Sequence, residues 1–191
     1  MADNNIYQFK ISLKNIKPKI WRRIQLPGNF TFADLHEAMQ HYMGWSDCHL
    51  HEFKVKNPIT GTKDTIGVPD EDRFGFGLMP EVIPEENIKI ARYFVFAKDK
   101  ATYLYDFGDG WYHDIVLEKI IAPEEDVSYP RCVTGKRACP PEDCGGYAGY
   151  EDLLEIIANP QHKEYKSKME WLAEVYATPF DPEKFDLNSV N

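Results

Sequence analysis

Tyr7, Phe9, Ile11 and Leu13 alternate with Gln8, Lys10, Ser12 and Lys14. A period of two marks a strand with one face on a core and the other toward water. Such a strand needs sheet neighbours and a layer over its apolar face, so an all-helical fold is excluded at once. Asn15-Ile16-Lys17-Pro18 follows as a turn. In the next run, Ile20, Arg22, Ile24 and Leu26 share one face, and Trp21, Arg23 and Gln25 the other. Arg22 thereby takes the parity of the core, where arginine is rarely found unpaired. Either a bulge turns it outward or it stays inside and needs a carboxylate.

After Pro27-Gly28, Thr31 is a good N-cap, with Phe30 and Leu35 at staple positions. Phe32, Leu35, Met39, Tyr42 and Met43 then repeat at helical spacing up to Gly44, which predicts an amphipathic helix over 32–43. His36 and His41 ride on it and are given no role. In His49-Leu50-His51-Glu52-Phe53-Lys54-Val55, His49, His51, Phe53 and Val55 fall on one side of a strand. Hairpin, helix and strand form a β-grasp-like opening of an α+β domain.

Residues 57–90 hold Asn57-Pro58, Gly61, Pro69, Gly75, Gly77, Pro80 and Pro84, and read as turns and one long loop. The acidic run from Asp70 to Asp72 reads as solvated surface. Tyr103 to Ile121 predicts a second hairpin. With Asp109 and Gly110 as its two turn residues, Phe107 opposes Tyr112 and Asp106 opposes His113; a three-residue loop with a bulge would break that pairing. Ser128 to Tyr150, rich in Pro, Gly and Cys, reads as irregular. Two short helices follow, one on Leu153, Leu154, Ile156 and Ile157 and one on Tyr165, Met169, Leu172 and Tyr176. The expected architecture is a single α+β domain over residues 1–191. It has a mostly antiparallel sheet, the additional hairpin and two C-terminal helices.

A chain of 191 residues with 43% hydrophobic side chains has enough apolar surface for its own core. No run approaches the roughly 20 apolar residues of a membrane span, and the first residues lack a secretory layout, so a cytoplasmic location is expected. The four cysteines are then expected as thiols. Lys plus Arg number 22 against 31 Asp plus Glu, a formal charge of −9, which disfavours unaided nucleic-acid binding. Against that, Lys10, Lys14, Lys17, Lys19, Arg22 and Arg23 make a basic N-terminal hairpin. Phosphate-loop, dinucleotide, nucleophile-elbow and zincin signatures are absent.

Three constellations could carry chemistry. His49, His51, Asp106 and His113 could pair a carboxylate with an imidazole, an arrangement that serves a general base, a metal ligand or a satisfied core histidine. Parity with large apolar residues favours the last. Cys132, Cys139 and Cys144 are separated by six and then four residues, and only the second gap fits paired zinc ligands. No cofactor is required, but zinc on Cys132, Cys139, His51 and His113 is the metal reading; thiols filling tight packing is the alternative. Finally, Pro140-Pro141 stiffens the segment presenting Glu142 and Asp143, whose expected partners are Arg22, Arg23 or Arg137.

Several phrases resemble one known family. They are Lys19-Ile20-Trp21-Arg22-Arg23, Gly44-Trp45, His49-Leu50-His51-Glu52-Phe53, Tyr105-Asp106-Phe107-Gly108-Asp109-Gly110-Trp111 with His113, and Cys132 followed by Ala138-Cys139-Pro140-Pro141-Glu142-Asp143. The family is the plasmid pRi open-reading-frame-three-like proteins, also catalogued as insertion-element passenger TnpR-like proteins. The resemblance implies a mobile-element context and no defined activity. The TnpR label suggests a resolvase, but no recombinase active-site pattern is present and no such residue is carried over. The family pattern also has an aliphatic residue where this chain has Cys144, which speaks against a three-cysteine metal site.

The resulting expectation is a non-catalytic binding or accessory module for a protein or small ligand. Its polar pocket draws on Arg22, His49, His51, Asp106, Asp109, Trp111, His113, Glu142 and Asp143. The alternatives are a zinc-dependent enzyme and a nucleic-acid-binding accessory protein using the basic hairpin.

Overall fold

In a computed structural model, residues 4–69 and 82–190 are described. The alternating N-terminal run is β1 (Ile6–Leu13), paired with β2 (Trp21–Pro27). Helix α1 (Phe32–Met43) follows where the spacing predicts it. Thr31 Oγ1 accepts from the Asp34 amide, and the Asp34 carboxylate accepts from the Thr31 amide at 2.7 Å. This reciprocal box satisfies two otherwise orphaned donors. Gly44 closes the helix at φ 87°, where a side chain would be strained.

The remaining strands are β3 (His51–Lys56), β4 (Lys63–Gly67), β5 (Val82–Pro84), β6 (Lys100–Tyr105), β7 (Trp111–Ile121) and β8 (Arg131–Lys136). The chain ends in α2 (Gly146–Ala158) and α3 (Tyr165–Val175). The described strands form one sheet in the order β5-β4-β3-β6-β7-β1-β2-β8. All neighbours are antiparallel except β4 and β5. The class is therefore α+β. After the hairpin, helix and strand opening, β6 and β7 come between β3 and β1.

Helix α1 lays Phe32, Leu35, Met39 and Met43 into the core. Phe32 meets Phe53 edge to face at 5.1 Å, the offset arrangement aromatic quadrupoles favour. On the opposite face of β1 and β2 the polar parity persists as a hydrogen-bonded ladder. Arg131 donates to Gln25, Gln25 to Gln8, and both Gln8 and Arg23 to Glu118.

Three expectations need correction. Residues 57–90 are not one loop: among those described, they hold β4, β5 and two 3-10 turns, Glu85–Asn87 and Ile90–Arg92. Asp70 to Asp72 lie outside the described residues. The segment 128–150 contains β8, because Arg131–Lys136 completes the free edge of β2. The second hairpin pairs Tyr105 with Trp111 and Tyr103 with His113. Its loop runs from Asp106 to Gly110, closed by the Gly110 amide donating to Asp106 O at 2.7 Å. That register puts Tyr105 and Trp111 both beneath Trp45. Asp106 sits at φ 54° in the turn rather than opposite His113.

Candidate functional site

Arg22 stays inside, 3% exposed, but its partners are not carboxylates. Nε donates to Tyr42 O at 2.8 Å, and the terminal nitrogens to Trp21 O, Lys136 O and Cys139 Sγ. The guanidinium also lies 4.2 Å from the Phe185 ring. Carbonyl dipoles arranged around the flat fork satisfy it without a counter-ion. The clamp expected between Glu142 or Asp143 and an arginine is likewise not built. Arg137 is bound to Glu183 and Arg23 to Glu118.

Glu142 and Asp143 turn instead toward His49, at one rim of the sheet. Trp45 donates its indole N–H to Pro140 O at 2.9 Å, tying the proline segment to the end of α1. The Ser46 amide donates to Glu142 Oε1 at 2.7 Å and the Tyr105 hydroxyl donates to the same oxygen at 3.0 Å. The Cys48 amide in turn donates to Tyr105 Oη. Burial, with Glu142 alongside, pushes the Tyr105 phenol up, keeping it a proton donor. Asp106 turns Oδ1 to the Gly108 amide at 2.8 Å and Oδ2 toward His49.

The result is an imidazole nitrogen surrounded by oxygens. His49 Nε2 lies 3.1 Å from Asp143 Oδ1, 3.5 Å from Glu142 Oε2 and 3.8 Å from Asp106 Oδ2. The atom is shut off from solvent, yet none of the three oxygens is aligned for a hydrogen bond with it. Asp106 and Asp143 both hold positive φ, at 54° and 56°, and Asp143 is 74% exposed at its side chain, so the cluster opens outward. Asp109, also expected here, binds the Gly145 amide at 3.2 Å, at the start of α2. A Cβ at Gly146 would come within 2.5 Å of Asp109 O, so that close approach requires a glycine. Trp111, also expected in the site, is buried in the core, edge to face with Tyr147 and tilted against Trp45.

His51 belongs to a different group. Its ring stacks on His36 at 3.5 Å with 4° between planes. His51 Nε2 lies 2.8 Å from Glu85, and His36 Nε2 lies 2.8 Å from Asp47. Tyr103 Oη accepts from Gln40 and lies 2.8 Å from His36 Nδ1. Its own proton then goes to Nδ1, which makes His36 the Nε2–H tautomer donating to Asp47. Burial, then the charge of His51, holds His36 below the ordinary histidine range. Although His36, Asp47 and His51 bring donor atoms within 4.8 Å of one another, imidazole lone pairs lie in the ring plane. Two parallel planes 3.5 Å apart cannot both point at one ion.

His113 is sealed in the core. Nδ1–H donates to Trp111 O at 3.0 Å, Nε2 has no partner, and burial drives its pKa down to about 3. Cys132 Sγ faces Thr134 O, Cys139 Sγ lies 3.1 Å from Met43 Sδ, and burial pushes the Cys144 thiol up to about 12. Among the described residues no trio of metal-donor atoms includes a cysteine or His113. Cys132, Cys139, His51 and His113 therefore do not assemble into the expected zinc site, because each is drawn into separate packing. His36 was missed, although with Gln40 it falls on the apolar stripe of α1 at i+4 and i+8 from Phe32. Glu85 lies in a stretch with no periodic signal.

Among the described residues no helix is long and apolar enough to cross a membrane. A profile of the family described as plasmid pRiA4b ORF-3-like protein matches residues 5–189. The chain is 31% identical over 173 residues to the uncharacterized protein y4hQ of Sinorhizobium fredii (strain NBRC 101917 / NGR234), covering 87% of this chain and 80% of that one. It is similar to the crystal structure of a protein of unknown function, MM3350 from Methanosarcina mazei Go1. That likeness has a TM-score of 0.86 and 44% identity over 98% of each chain.

Proposed function

We propose, from the premise that this chain belongs to the plasmid pRiA4b ORF-3-like family, that it is a non-catalytic binding or accessory protein working through the rim cluster of His49, Asp106, Glu142 and Asp143. The ligand group it takes carries positive charge. One observation supports this above others: three carboxylates converge on a single imidazole nitrogen and none of them satisfies it. Three carboxylates exceed the single charge His49 could carry. Like charges drawn together with too little positive charge to balance them raise the free energy of a fold, and such arrangements gather where a ligand later compensates them.

His49 Nε2 makes no hydrogen bond to a hydroxyl or thiol, so it is not set up to activate a nucleophile within this chain, and the proposal is of binding. A mobile-element setting accompanies the reading through the plasmid in the family's description, and the cytoplasmic location expected from the sequence is kept with it. Nucleic acid is a poor ligand for this pocket. The basic hairpin is also partly neutralised, since Lys14 pairs with Asp114, Arg23 with Glu118, and Arg22 is buried.

Asp106→Asn with Asp143→Asn tests this directly. Asparagine tolerates the positive φ of both positions and keeps the Gly108 bond. The double variant is expected to gain about 0.5–1 kcal/mol in urea denaturation, through relief of like-charge repulsion. A loss of more than about 1 kcal/mol would mark the carboxylates as structural and sink the proposal.

A further inference from the structure

The rim pocket has a more specific fit than to positive charge in general. Two donors each about 2.0–2.2 Å from a common ion lie about 3.0 Å apart when adjacent in an octahedron. They lie about 3.4 Å apart in a tetrahedron and about 4.2 Å when opposite. The separations from His49 Nε2 to Asp143, Glu142 and Asp106 are 3.1, 3.5 and 3.8 Å, all inside that span. Hydrogen-bonded ion pairs would instead bring an oxygen to about 2.7–2.9 Å in line with the N–H. Here the nitrogen is screened from water and bonded to none of the oxygens.

The surroundings orient the donors as a metal site requires. Asp106 spends Oδ1 on the Gly108 amide, and Oδ2 is the oxygen nearest His49. Glu142 Oε1 takes the Ser46 amide and the Tyr105 hydroxyl. Oε2, 3.3 Å from the same hydroxyl, faces His49. Such bonds to the outer oxygen set the angle of a ligating carboxylate and raise affinity. Prolines 140 and 141 limit how far Glu142 can relax. His49, Asp106 and Asp143 can also place one donor atom each within 4.8 Å of one another.

We infer that His49, Asp106 and Asp143 bind one divalent transition-metal ion, with Glu142 alongside as a neighbouring carboxylate and the exposed Asp143 side left open to water or a ligand. This rests on the rim pocket being a binding site, and names its ligand. One imidazole with two carboxylates and open positions suits Mn2+ or Zn2+. The nitrogen disfavours Mg2+ and Ca2+, and the lack of thiolate sets the site apart from structural zinc.

Protein prepared without a histidine tag and stripped with chelator is titrated with Mn2+ and with Zn2+ by calorimetry, and the bound Mn2+ is followed by electron paramagnetic resonance. One equivalent is expected to bind. His49→Ala and Asp106→Asn/Asp143→Asn should each weaken binding at least about tenfold. His41→Ala, on the exposed side of α1, should leave it unchanged. Absence of binding, or binding indifferent to His49→Ala and to the double variant, overturns the metal site. If the double variant is stabilised while neither ion binds, the metal fails and the cationic pocket stands. If it is destabilised yet abolishes one-equivalent binding, the metal stands and the unsatisfied-charge reading fails.

Discussion

His49 and His51 are two residues apart, and their surroundings differ in kind. Around His51 and His36, each Nε2 has a carboxylate at 2.8 Å, and the Tyr103 hydroxyl links His36 to Gln40. Around His49, three carboxylates approach and none bonds to Nε2. Both groups combine imidazole with carboxylate, so residue type alone does not separate them. The directed bonds do. A buried network with its donors and acceptors matched serves the fold, whereas converging donors left unmatched within it leave a place for something else.

The largest effect that could break this contrast is at Glu85. Glu85→Ala strips a buried partner from a buried imidazole and is expected to destabilise the protein by about 3–5 kcal/mol. Urea denaturation at pH 7.5 measures it, and a cost below about 1 kcal/mol would place the stacked pair outside the structural group.

Acid should sharpen the contrast. Burial depresses the folded-state pKa of His113 to about 3 and also lowers that of His36, while an unfolded histidine titrates near 6.5. The unfolded chain therefore binds protons first. The stability from the neutral rings is complete above about pH 6.5 and is lost as pH falls toward 3, by up to about 1.4 kcal/mol per pH unit for His113. His113→Phe should flatten denaturation midpoints between pH 6.5 and 4.5; an unchanged slope would assign the acid sensitivity elsewhere.

The smallest effect concerns Asp109, which lies beside the rim but serves α2. Asp109→Ala should cost about 1 kcal/mol by freeing the Gly145 amide and removing a negative charge from a helix N-terminus. Binding at the His49 pocket should not change, and a tenfold loss there would draw Asp109 into the site.

Much of the frame was legible. Strand β1, helix α1 with its Thr31 cap and Gly44 stop, and both C-terminal helices follow local periodicity that needs no knowledge of distant residues. Strands β4, β5 and β8 were not legible, because short strands in turn-rich sequence owe their pairing to neighbours rather than to pattern. The site was half legible. His49, Asp106, Glu142 and Asp143 were all named, but with Asp106 assigned to His113 and Glu142 to arginine. A turn longer than two residues moved Tyr103 opposite His113 and released Asp106 to the rim.

The order of residues by itself determined β1, α1 and the two C-terminal helices and which face of each is apolar, since backbone geometry imposes periods of 2 and 3.6 on any chain. Only the tertiary structure decided which imidazole meets which carboxylate. The His51–Glu85 pair spans 34 residues, and the Tyr105–Glu142 bond that orients the pocket spans 37. Over such distances loop length, sheet order and packing choose the partners, and none of these leaves a repeat in the sequence.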